Sequence, residues 1–176
     1  YFHSGNATEE HVSLDRIVMD GPWAGSLGRL LDTTNLGKYF FEVIDRESNV
    51  LVYSRGFASI YGEWETTDEA RRVWKTFHES LRFPSPRRPV QVTLKKRGDE
   101  NSFVELWTVV IDPDSRFVVK ADVRPAGVSW TVFENGPPSR KVDLLVLGDG
   151  YSAADTAKFH KDVERLIRIL FEHEPF

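Results

Sequence analysis

Val142-Asp143-Leu144-Leu145-Val146-Leu147 is almost continuously apolar and is followed at once by a turn and an amphipathic helical pattern. Such a run has the character of a strand buried on both faces of a parallel or mixed sheet. Gly148-Asp149-Gly150-Tyr151 supplies the turn, and Ser152-Ala153-Ala154-Asp155 has the spacing of a capping box, with Asp in place of the usual Glu. Phe159, Val163, Leu166, Ile167, Leu170 and Phe171 then share one helical stripe, and Lys158, Lys161, Asp162, Glu164, Arg165 and Arg168 take the opposite side. The helix is expected to end near His173, ahead of Pro175. One strand and one helix do not make a domain, because two strand edges need pairing and the helical stripe needs cover. Residues 138–176 are therefore expected to be the first strand and helix of an incomplete α/β domain. Its missing partners must come from the preceding residues, from another chain, or from sequence beyond these residues.

The preceding stretch follows a different pattern. Twelve Phe, five Tyr and five Trp favour a pleated, half-buried surface. Residues 38–45 and 50–55 read as strands joined by the hairpin loop Arg46-Glu47-Ser48-Asn49. In residues 90–95 the period of two puts Val90, Val92 and Leu94 on one face, and residues 102–111 form the natural partner across a polar loop. A further strand is expected over residues 117–123. Residues 25–31 fit either a turn or a short edge strand. Thr67 has the look of a helix N-cap, with a short helical turn following and then a strand that stops at Pro84. So many short strands need a second sheet to cover the first, giving a two-layer antiparallel β-sandwich over residues 1–137. Asn135-Gly136-Pro137-Pro138-Ser139 continues neither kind of element and marks the boundary.

Charge and composition remove several function classes. The net charge of -4 and pI near 5.8 oppose a nucleic-acid partner, which requires a basic face. The one basic run, from Arg87 and Arg88 to Lys95-Lys96-Arg97, reads as the solvated side of a strand. No apolar run reaches the ~20 residues of a membrane span. No N-terminal apolar segment of the signal-peptide kind is present either, so any such leader is expected to have been removed already. The absence of Cys excludes disulfides, thiolate ligands and a cysteine nucleophile, and it leaves the compartment open.

Candidate chemistry is sparse. The five histidines, His3, His11, His78, His160 and His173, lack metal spacing. His78-Glu79 and His173-Glu174 carry only the first two letters of H-E-x-x-H, so no catalytic and no metal-ligating residue is expected in the chain. Asp112-Pro113-Asp114-Ser115 is more simply a turn than a calcium site. The tryptophans Trp23, Trp64, Trp74, Trp107 and Trp130 are expected mainly in the core, the alternative being a sugar-stacking platform. Asp149, Gly150 and Tyr151 are the candidate substrate-binding residues, because they sit where a buried strand hands over to a helix, the ligand-binding position of α/β sheets. The glycines also suit a tight turn with no ligand.

Two groups of residues bear a family likeness. Leu145-Val146-Leu147-Gly148-Asp149-Gly150-Tyr151, Lys158-Phe159-His160 and residues 171–176 resemble the start of the catalytic domain of the IgA peptidase family of zinc metallopeptidases. Gly62-Glu63-Trp64, Thr76-Phe77-His78-Glu79-Ser80-Leu81-Arg82-Phe83-Pro84 and Pro89-Val90 are similar to the N-terminal domain that precedes it in bacterial members. The resemblance implies a secreted or cell-envelope bacterial endopeptidase with an N-terminal β-sandwich. It also implies a zinc site of the H-E-x-x-H type in the missing part of the catalytic domain, with no cofactor held by this chain. The implied partners are the remainder of the catalytic domain and a protein substrate, with no nucleic acid and no membrane span. The alternative is a glycan- or protein-binding β-sandwich module.

Overall fold

The computed structural model describes residues 1–120, 128–137 and 140–175. The chain divides into two units, Tyr1–Val123 and Arg124–Phe176.

The first unit is built on antiparallel sheets. Strands β4 (Tyr39–Asp45), β5 (Leu51–Phe57), β7 (Val90–Arg97) and β8 (Phe103–Ile111) form a four-stranded sheet in the order β5-β4-β7-β8. The expected hairpins are both present. In the first, Asp45 closes the loop, its Oδ1 accepting from the backbone N–H of Glu47 and Ser48 at 3.1 and 2.8 Å. Alternation sets the packing, since Tyr39, Phe41 and Val43 on β4 and Val90, Val92 and Leu94 on β7 are all buried. Strands β1 (Phe2–Gly5), β2 (Glu10–Ser13) and β6 (Lys75–His78) form a three-stranded antiparallel sheet in the order β2-β1-β6. Tyr1, next to β1, joins the main core with residues of β4, β5, β7 and β8, and Val12, Leu81 and Phe83 pack against it. The architecture is mainly β, as the sequence patterning implies.

Three local expectations are corrected. The strand over residues 117–123 is present as β9 (Val118–Lys120), and it pairs in parallel with β3 (Ile17–Met19); residues 121–123 lie outside the described residues. The helical turn lies earlier than Thr67, at α1 (Ile60–Trp64), where Ser59 is the N-cap and accepts from Gly62 N–H. Thr67 instead caps a turn, its Oγ1 accepting from Ala70 N–H at 3.3 Å. The strand before Pro84 ends at His78, the residue paired with Phe2 of β1, and Glu79 N–H then donates to the Tyr1 carbonyl at 3.0 Å. The in-out alternation nevertheless continues through Phe83. Of the two alternatives for residues 25–31, the edge strand is not formed.

In the second unit the capping box forms as its spacing requires, with Ser152 N–H and Oγ both donating to Asp155 Oδ2 at 3.0 and 2.6 Å. It opens a single 3-10 turn (Ala153–Asp155) that runs into α2 (Thr156–Glu172), whose N-cap is Asp155 and whose C-cap is His173. Residues 142–147 carry no strand, and Val142, Leu145 and Leu147 are 96%, 76% and 79% exposed. A strand of this type is held by ladder bonds on both edges, and the described residues of this unit contain no strand to pair with it.

Candidate functional site

The turn at residues 148–151 places its three candidates differently. Gly150 has φ +77°, and a side chain there would meet open space. The handedness of the turn, not crowding, is what glycine serves at this position. Asp149 is exposed on the same turn. Tyr151 folds back onto α2. Its ring lies 4.9 Å from that of Phe159, and its hydroxyl donates to Asp162 Oδ2 at 3.0 Å. Lys158 Nζ bonds the same carboxylate at 2.6 Å and stands 4.9 Å from the Tyr151 ring. The Lys158 ammonium holds Asp162 below its ordinary range. Trp130 stacks near His160 and Phe159, with ring centroids 3.7 and 5.4 Å away. Tyr151 thus acts as a clip on the first turns of the helix, while Asp149 and Gly150 stay on the open side of the turn.

The first unit holds a groove of about 1180 Å³. Its floor is Val92 of β7 with Trp107, Val109 and Ile111 of β8, side chains that the pleat sends to one face. Residues 14–27 form one wall and residues 78–86 the other. Two side-chain pairs link the walls: His78 Nε2 lies 2.9 Å from Asp15 Oδ2, and Arg82 forms an ion pair with Asp20 Oδ2 at 3.0 Å. Such pairs contribute at most about 1 kcal/mol each, so the walls are only lightly tied.

Beside the groove lies a buried polar cluster. His3 is 0% exposed, with Nδ1 3.1 Å from Glu79 Oε2 and Nε2 3.3 Å from Glu10 Oε2. Glu79 also accepts from the Tyr1 hydroxyl at 2.7 Å and the Tyr61 backbone N–H at 3.0 Å. Burial alone would raise Glu79, but these bonds outweigh it and hold the carboxyl at about 2. Glu10 accepts from the Tyr39 hydroxyl at 3.0 Å and pairs with Lys96 at 2.9 Å. Its burial is likewise outweighed, by His3 first and then Lys96, so it too lies below the usual range. The Tyr61 ring stacks on His3 at 3.9 Å, and its hydroxyl donates to the carbonyls of Asn6 and Glu9.

Sequence reasoning missed this cluster, although one signal was present. Glu79 occupies the inward parity shared by Phe77, Leu81 and Phe83, where a lone carboxylate has no place unless it is bonded.

Other expectations follow the geometry. The basic run is dispersed into local partners: Arg88 pairs with Asp45 and Glu47, Lys95 with Glu42, and Arg97 bonds the carbonyls of Gly37 and Asn35. Trp64 is buried, Trp23, Trp107 and Trp130 are half-buried, and Trp74 is exposed against His11. Asp112 Oδ1 accepts from Asp114 N–H, as a turn requires. Among the described residues no arrangement fits a resident zinc. His78 is engaged with Asp15, the nitrogens of His3 are each taken by a carboxylate, and the described residues include no group of three or more potential ligands arranged for a metal. No helix among the described residues is long and apolar enough to cross a membrane.

Residues 1–108 match the family described as Peptidase M64 N-terminus, and residues 131–176 match the one described as IgA Peptidase M64. No curated protein matches the chain. The first match ends within β8, so it takes in the polar cluster, both groove walls and, of the groove floor, Val92 and Trp107; the second takes in the turn at Asp149 and α2. With the larger match alone spanning more than half of its residues, the chain belongs to the IgA peptidase M64 family of metallopeptidases.

Proposed function

We propose that this chain is the non-catalytic N-terminal region of a secreted bacterial zinc metallo-endopeptidase. In this reading residues 1–137 are an accessory β-sandwich that scaffolds the catalytic domain or holds its protein substrate. Residues 138–176 are the first part of that catalytic domain, and zinc belongs to its remainder. The observation that carries the reading is the groove of about 1180 Å³ in the first unit, floored by Val92 of β7 and the alternate side chains Trp107, Val109 and Ile111 of β8. Asp149, Gly150 and Tyr151 are proposed to touch substrate, Asp149 and Gly150 from the open side of the turn and Tyr151 through the part of its side chain left exposed beside α2. No step of peptide hydrolysis is assigned to residues of this chain.

The test is retention of carboxymethylated casein, an unfolded protein, on the immobilised chain. Wild type is expected to retain it and Val109→Asp in the groove floor to lose it, with an unchanged circular dichroism spectrum. Equal retention by both would remove the groove from the account. The exposed Trp74 favours one other reading, a glycan-binding module. A glycan-array signal abolished by Trp74→Ala would establish that reading in place of the first.

A further inference from the structure

Six ionisable side chains alternate in sign along one seam of the first unit. Glu79 meets His3 at 3.1 Å, His3 meets Glu10 at 3.3 Å, Glu10 meets Lys96 at 2.9 Å, and Lys96 meets Glu65 at 3.0 Å. Glu65 in turn pairs with Lys38, whose ammonium also donates to the Gly62 carbonyl at 3.0 Å. The seam crosses the molecule. His3 and Glu10 belong to β1 and β2 of the three-stranded sheet, and Glu79 follows β6. Lys96 lies on β7 of the four-stranded sheet, Lys38 just before β4, and Glu65 caps α1.

Hydrogen-bond inventory decides the charge on His3. A neutral imidazole has one N–H and one lone pair. In either tautomer one lone pair would face a carboxylate oxygen across little more than 3 Å with no water between, since His3 is fully buried. A proton on either glutamate is no remedy. Glu79 also accepts from the Tyr1 hydroxyl and the Tyr61 N–H, and Glu10 accepts from the Tyr39 hydroxyl and pairs with Lys96, donors that favour each carboxylate over its protonated form. The remaining proton therefore sits on His3, and the seam then balances three anions against three cations. With His3 neutral it would hold one uncompensated negative charge, which is costly in a buried site.

We infer that His3 is an imidazolium whose second proton keeps in balance the Glu79–His3–Glu10 group, through which Glu10 holds Lys96 and Tyr39 of the four-stranded sheet, so that rising pH loosens the joint. The groups facing His3 are Glu79, Glu10, Tyr1, Tyr39 and Tyr61, with Lys96 one step beyond. Burial by itself would lower His3, but the bonds to Glu10 and Glu79 outweigh it and raise the group. The stabilisation is thus complete below the ordinary imidazole value and is lost as pH rises through the higher folded-state value. The two carboxylates are lowered, so their contribution is already complete at neutral pH. Lys96 and the three tyrosines are raised from values already alkaline, and they act only at still higher pH.

Imidazole nitrogen NMR on the histidine-labelled chain reads the state directly. At pH 7 both nitrogens of His3 should carry protons, and the second proton should persist to higher pH than in free histidine in the same buffer. The thermal midpoint of wild type should fall by several degrees between pH 6.5 and 9, and that slope should vanish in His3→Gln. Glu10→Gln, which balances the seam with a neutral His3, should move the slope to lower pH. One bare nitrogen on His3 at pH 7, or the same slope in His3→Gln, overturns the inference. Should His3→Gln fail to fold, the wild-type nitrogen spectrum still decides it.

Discussion

Gly5 shows how tightly the β1–β2 corner is closed. A Cβ built there would lie 2.1 Å from the Glu9 carbonyl and 2.4 Å from the Tyr61 hydroxyl, both fixed by the bond between them. Neither neighbour can yield without breaking that bond. Gly5→Ala is therefore expected to destabilise the first unit by about 1–3 kcal/mol, measured by urea denaturation. Tyr61→Phe opens the same corner from the other side. It leaves the carbonyls of Asn6 and Glu9 without their shared donor, at a cost of about 1–3 kcal/mol in the same measurement. At this scale the sequence was only partly legible. The inward parity of Glu79 was visible beside Phe77 and Leu81, but its partners His3 and Tyr61 lie 76 and 18 residues away. No local spacing announces such a contact.

Elements were more legible where alternation and turn chemistry agree. The β4–β5 and β7–β8 hairpins follow from period-two patterns closed by short polar loops, with Asn49 and Asn101 in the left-handed region at φ 56° and 59°. Leu94, fully buried at the centre of that sheet, is expected to cost about 2–5 kcal/mol on replacement by Ala, read from the urea midpoint. The capping box was equally plain, because its two residues are three apart. Ser152→Ala should fray the start of α2, weakening the helix by about 1 kcal/mol and lowering the ellipticity at 222 nm. Strands β1, β2 and β3 have only three or four residues each, too few for alternation to stand out. The parallel pairing of β3 with β9 joins residues about 100 apart, a tertiary choice that neither segment encodes alone. Residues 142–147 failed in the opposite sense. The apolar pattern is strong, but a strand is a property of its partners, and the described residues of that unit offer none.

For the whole molecule, the carboxylates of the seam fix the behaviour in acid. Glu79 is held at about 2, so its contribution is complete above the ordinary glutamate value and is lost as pH falls through that window. The thermal midpoint of the first unit should accordingly fall from pH 5 to pH 2, and Glu79→Gln should flatten that fall. Such a dependence belongs to a structural network, and it fits a chain whose polar residues are engaged in holding its own sheets together. The family was legible because its motifs are contiguous strings such as residues 76–84, whereas the role of those strings emerged only when Glu79 was seen bonded to Tyr1, His3 and Tyr61. The central question for the molecule is whether the chain carries chemistry of its own. The direct measurement is zinc content of the purified chain after dialysis against a chelator and zinc repletion, together with its cleavage of casein. The account predicts no stoichiometric zinc and intact casein; one zinc retained per chain together with casein cleavage would contradict it.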